Sequence, residues 1–183
     1  QFVGLKNYAR LNNVHFFSAL RTNTLFTLLT VGFLVPVPVV LATLLNSNMV
    51  RGRNFFRSSL FIPSLTSVVV AGIAFRLIFG SLPVAVANTI LGWFGVEPVN
   101  WTMTYWASIV IMAALAVWRM MGVYMIYFLS GLQSIPVELY ESSDIDGANF
   151  IQKFFRITLP LLRSTHFTLF VLGALGSLKC FDL

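Results

Sequence analysis

Four of the six acidic residues in this chain crowd into one stretch, Ser134 to Pro160, as Glu138, Glu141, Asp144 and Asp146. The residues around them are ones that set helix ends. Pro136 suits a first helical position, and Glu138 and Glu141 then meet the positive end of the helix dipole. Gly147 stops a helix by taking a left-handed backbone. Asn149 caps a second helix running from about Phe150 toward Thr158, with Pro160 punctuating its end. The spacing predicts a short helix-turn-helix that presents Leu139, Phe150, Phe154 and Phe155 beside charge. Its chemistry is docking, because such a knob inserts into a groove on a partner.

A second candidate is Arg119, near the middle of an apolar run, where a charge is costly and marks function by default. Ser108, Met112, Leu115, Arg119 and Gly122 recur on one helical face. That face could line a translocation path, with Arg119 donating to a solute's hydroxyls and Trp118 stacking on a ring. It could equally turn Arg119 onto a neighbouring helix or a backbone carbonyl. Asn23, Thr27 and Thr30 share a face of an earlier run and carry the same two readings, path lining or interhelical hydrogen bonding. Arg76 and Lys179 lie near run ends, where both can reach the interface by snorkelling. His15 and His166 have no partner spacing for a metal site, and the lone Cys180 supports neither an internal disulfide nor a Cys-based cluster. An intramembrane enzyme would need apposed groups at membrane depth, such as Ser with His or two Asp. No acid lies inside any apolar run, and His166 falls near a cytoplasmic end.

The elements that must position these residues belong to a bilayer. The 183 residues are 57% hydrophobic and only 10% charged, where a soluble domain carries about a quarter charged residues. The net charge of +6 does not mark a nucleic-acid binder, because the basic residues flank apolar runs and form no patch with stacking aromatics. A spanning helix needs roughly 20 apolar residues. Four runs are long enough to matter: about Thr22 to Leu45, Leu60 to Phe79, Met103 to Leu129, and one that starts near Ser164 and is still going near Leu178. All four are expected to be helices, since a helix satisfies its own backbone in lipid. Pro36 and Pro38 must kink the first.

Loop charges set the orientation. The loop from Asn46 to Ser59 holds Arg51, Arg53 and Arg57, and that from Gly131 to Arg163 holds Lys153, Arg156 and Arg163. Gly80 to Thr102 carries only Glu97. Lys and Arg favour the cytoplasm, so the first two loops face in and the third faces out. Val84 to Ile90 and Leu91 to Phe94 read as two short interfacial helices, with Trp93, Trp101 and Trp106 at headgroup level. At the start, Phe2, Leu5, Tyr8, Leu11 and Val14 recur at near-helical spacing, as in an amphipathic surface helix or a packed connector. The chain opens on Gln1 without a signal peptide and stops just after an apolar run, as a fragment of a longer chain would.

At the acidic stretch the sequence resembles the EAA motif of ABC-importer permeases. That motif is E-A-A, three residues, G, nine residues, I-x-L-P. Here Glu141-Ser142-Ser143 stands for E-A-A, Gly147 falls three residues later beside Asp146 and Ala148, and Ile157-Thr-Leu159-Pro160 follows after nine. Ser replaces both alanines, a small-for-small change. Weaker similarity to the sugar-importer branch runs through Phe2 to Tyr8, Ala19 to Thr24, Arg51 to Arg57, Phe61 to Pro63, Gly131 to Tyr140 and Ser177 to Asp182.

The resemblance implies a type I importer permease: an all-α, polytopic bundle with a single transmembrane domain over residues 1–183 and the coupling loop at 131–163. Its parent's first and last helices would lie outside the chain. The resemblance further implies a bacterial or archaeal inner-membrane protein that moves a sugar by alternating access. Glu138, Glu141, Ser142, Ser143, Asp146, Gly147, Ala148, Ile157, Leu159 and Pro160 would seat in an ABC ATPase dimer. A second, homologous permease and an extracytoplasmic sugar-binding protein would complete the machine. A glycerol phosphoester or a peptide is the alternative cargo. The sequence has no G-x-x-x-x-G-K-[ST], so it lacks a phosphate-cradling loop. ATP and Mg would sit on the partner chain, with no cofactor on this one.

Overall fold

The computed structural model describes residue 4, residues 13–47 and residues 50–179. The expected helical face of Phe2, Leu5, Tyr8 and Leu11 lies outside these. Every described element is helical: α1 (Val14–Leu34), α2 (Pro36–Asn46), α3 (Arg53–Phe61) running into a 3-10 turn (Ile62–Leu65), α4 (Val68–Ile78), α5 (Val86–Trp93), α6 (Tyr105–Gln133), α7 (Glu138–Ile145), α8 (Phe150–Leu161) and α9 (Arg163–Leu178).

α1 begins earlier than hydropathy suggests, because Asn13 caps it by accepting the Phe16 amide at 2.8 Å. Pro36 removes one donor and opens α2, yet the Val35 amide still reaches Val31 O at 3.2 Å. Residues Val14–Asn46 therefore form one 33-residue span. Among the described residues α6, 29 residues long, is the other continuous helix long and apolar enough to cross a membrane, and α1 to α4 and α9 pack around it. The main core joins Leu34, Val39, Ala42 and Leu45 to Met125, Phe128, Leu129 and Leu132 of α6 and to Leu162 and Leu169. Lipid tails are as apolar as these side chains, so close packing and interhelical hydrogen bonds must hold the bundle. Gly122 shows how close: a Cβ there would come within 2.2 Å of Leu60 O.

The second apolar run is not the single helix expected. α3 with its 3-10 turn and α4 meet at 101°. Pro63 has no amide to donate, Ser64 bonds back to Phe61 O at 2.7 Å, and Thr66 and Ser67 are extended. α4 alone has 11 residues, a rise of about 16 Å, which is half of a bilayer core. Arg57 donates from one guanidinium nitrogen to Leu45 O at 2.8 Å, placing a cation on the carboxyl end of α2.

The outer loop also departs from expectation. It holds one helix, α5, rather than two. Asn88 is its hub. The amide donates to Gly80 O, Leu82 O and Val99 O at 3.4, 3.1 and 3.1 Å, and accepts from Val99 N and Trp101 Nε1 at 3.0 and 2.8 Å. Ser81 adds hydrogen bonds to Asn100 and Thr102. Trp101 is thus spent inside the clasp, while Trp93 and Trp106 stay exposed as headgroup anchors would.

Candidate functional site

The hairpin expected to dock folds as its residues dictate. Glu138 and Glu141 lie in the first turn of α7, although the helix starts two residues after Pro136, with Val137 as its cap. Gly147 takes φ +74°, the left-handed conformation that ends α7. The turn closes as Ala148 N reaches Ser143 O at 2.9 Å. Asn149 and Gln152 then form a reciprocal capping box, each accepting the other's amide at 2.9 Å. Lys153 pairs with Asp144 across the hairpin. Glu138, Glu141, Ser142, Asp146 and Gly147 are exposed, while Ser143 is buried under the turn.

Pro160 does not end α8. The helix widens into a π-turn over Phe154–Thr158, where Leu159 N reaches Phe154 O five residues back, and this lets a residue without an amide sit inside the helix. The end comes at Leu162, where α8 and α9 meet at 70°. Ile157 and Leu159 are half-buried at this base.

The six residues expected along a path do not share one surface. Arg119 alone reaches a largely apolar cavity with a few polar groups, of about 190 Å³, between α1, α4, α6 and α9. Phe26, Thr30 and Leu34 line it from α1, Ala116, Met120 and Tyr124 from α6, and Gly173, Gly176 and Ser177 from α9. Trp118, one residue and about 100° round the helix, faces an apolar groove instead and packs on Phe75 at 5.6 Å. Asn23 ties α1 to the end of α9 by donating to Leu178 O at 3.2 Å. Ser108 anchors the outer loop through Thr102 O at 2.9 Å. Thr27 lines another groove, and Gly122 is the contact with Leu60.

Of the company Arg119 keeps, reasoning from sequence named Thr30 and missed Lys179 and Tyr124. Lys179 lines the same cavity rather than only reaching for the interface, and Tyr124 is 5% exposed beside it. Thr30 Oγ1 is buried there without a partner. Arg119 makes no hydrogen bond or ion pair with any described residue. Two cations, an orphan hydroxyl and a phenol, with no acid, suit a ligand rich in oxygen acceptors.

Residues 16–183 match the family described as "Binding-protein-dependent transport system inner membrane component". The chain belongs to that family. It is 48% identical over 181 residues to the arabinooligosaccharides transport system permease protein AraP of Halalkalibacterium halodurans, covering 99% of this chain and 57% of that one. Against the lactose transport system permease protein LacF of Rhizobium radiobacter identity is 34%, covering 100% and 61%. This chain thus spans about six-tenths of the length of the curated relatives it matches. The fold superposes with a TM-score of 0.85 and 26% identity on a bacterial ABC transporter that imports the acidic polysaccharide alginate, covering 98% of this chain and 63% of that one. A family of transport subunits accounts for a chain whose described elements are all helices built round apolar stretches.

Proposed function

We propose that this chain is the permease subunit of an ATP-driven importer in the cytoplasmic membrane, moving an oligo- or disaccharide handed over by an extracytoplasmic binding protein. The observation that carries it is the hairpin Glu138–Leu161, an exposed, internally braced knob whose turn residue Gly147 needs the backbone only glycine takes freely. Seated in an ATPase dimer that holds the ATP and Mg, the knob would pass dimer closure to the bundle. The cavity beside Arg119 would then open alternately to each side. A second permease would complete the path, since about 190 Å³ falls below the roughly 300 Å³ of the smallest drug-sized ligand sites. The sugars in the relatives' names support the cargo class.

A second cargo reading rests on one observation. Arg119 and Lys179 share the cavity without an acid, which would also suit a solute bearing a phosphate or carboxylate; the solved neighbour imports an acidic polysaccharide.

The test is ATP hydrolysis by the full complex in liposomes with its binding protein, across neutral mono-, di- and trisaccharides, uronate oligosaccharides and a glycerol phosphoester. We expect stimulation by a neutral oligosaccharide. Gly147→Asp should cut that stimulation about tenfold, as loss of ~1.4 kcal/mol would. The left-handed turn costs an L-residue roughly 1 kcal/mol, and the new carboxylate meets the docking groove. Gly147→Ala carries the same left-handed strain without the charge, so it should be the milder variant. Stimulation by the anionic solutes alone would move the cargo to that class, and wild-type stimulation in Gly147→Asp would sink the docking role.

A further inference from the structure

We propose that Tyr140 and Thr158 are positioning residues that carry the movement of the docking hairpin into α9; the proposal rests on the importer function set out above. Their hydroxyls meet at 2.9 Å, across 18 residues of sequence and from opposite arms of the hairpin. Thr158 is 1% exposed. A helical threonine ordinarily bonds the carbonyl four residues back, and Thr22, Thr24, Thr43 and Thr89 all do so here. For Thr158 that carbonyl is Phe154 O, which accepts Leu159 N across the π-turn. The Thr158 hydroxyl departs from that habit and meets Tyr140 instead.

The contact sits where force must pass. The Asp144–Lys153 pair braces the hairpin near its tip, and Tyr140–Thr158 braces it at its buried base. Thr158 O accepts Leu162 N at 3.1 Å, and Leu162, 2% exposed, joins the core against α6. α9 follows at once, and its Gly173, Gly176 and Ser177 line the Arg119 cavity. With the base locked, a displacement of α7 turns α9. With it unlocked, α7 can swing while α9 stays.

The test uses the reconstituted complex of permease pair, ATPase and binding protein, and reads sugar transported per ATP hydrolysed. Tyr140→Phe and Thr158→Val each remove one hydroxyl and little volume. Each should leave ATPase binding intact and lower the transport ratio about fivefold, the order that one net hydrogen bond carries. Thr158→Ser, which keeps the hydroxyl, should hold the ratio within about twofold of wild type, and the double variant should be no worse than either single one. A normal ratio in Tyr140→Phe overturns the proposal. So does loss of ATPase binding in that variant, which would make Tyr140 a docking contact. Absence of sugar-stimulated hydrolysis in the wild type would instead count against the importer function itself.

Discussion

Arg119 stands in a packed helix without a partner among the described residues, and an unpaired charge in that setting costs stability. The two meanings of such a residue predict opposite signs. If Arg119 serves the solute, Arg119→Met should raise the melting temperature of the purified complex while transport falls about tenfold, a trade of stability for function. If it is structural glue, the melting temperature should drop. A thermal melt in detergent beside a transport assay separates them. Position and charge made this residue conspicuous in the sequence, but its neighbours were not. Lys179 and Tyr124 lie 60 and 5 residues away, and only the packing of α9 on α1 brings Lys179 to the cavity. Spacing along one helix also misjudged Trp118, because which side of α6 faces a cavity depends on what packs there.

At the level of elements, the hairpin was the most legible part of the chain, since each of its signals acts within a few residues. Glu138, Gly147 and Asn149 do what their local chemistry dictates. The broken second run was harder to see, although Pro63, Ser64, Thr66 and Ser67 were in view. Hydropathy registers only that the residues are apolar, and the 101° bend comes from where the backbone hydrogen bonds go. The outer loop shows the same limit from the other side. Its apolar composition suggested floating helices, whereas Asn88, 2% exposed, gathers five hydrogen bonds that clasp both ends. Asn88→Leu should orphan the Val99 amide and the Trp101 indole N–H at a cost of about 2–4 kcal/mol. Hydrogen exchange over residues 80–104 should then accelerate by one to two orders of magnitude. Unchanged protection of Val99 would show that the loop holds without its hub.

At the scale of the whole molecule, α6 organises everything, and the tolerance of the bundle is set where other backbones touch it. A Cβ at Gly122 would meet Leu60 O at 2.2 Å and Phe61 Cα at 2.7 Å, backbone atoms that cannot rotate aside. Gly122→Val should therefore push α3 off α6 and cost about 3 kcal/mol, visible as a lowered melting temperature in detergent. A melt within a degree of wild type would mean that the α3 contact is dispensable.

The length of α6 has its own meaning. Its 29 residues make a rod of about 43 Å, against about 30 Å of hydrocarbon. In the orientation that the loop charges predict, with Trp106 at the outer boundary, roughly 12 Å of the rod would project beyond the inner one. That overhang is clearance. In the proposed importer the partner ATPase would grip the far end in open water without pressing into lipid headgroups, and a bilayer that thickens by a few ångströms would shorten the gap without closing it.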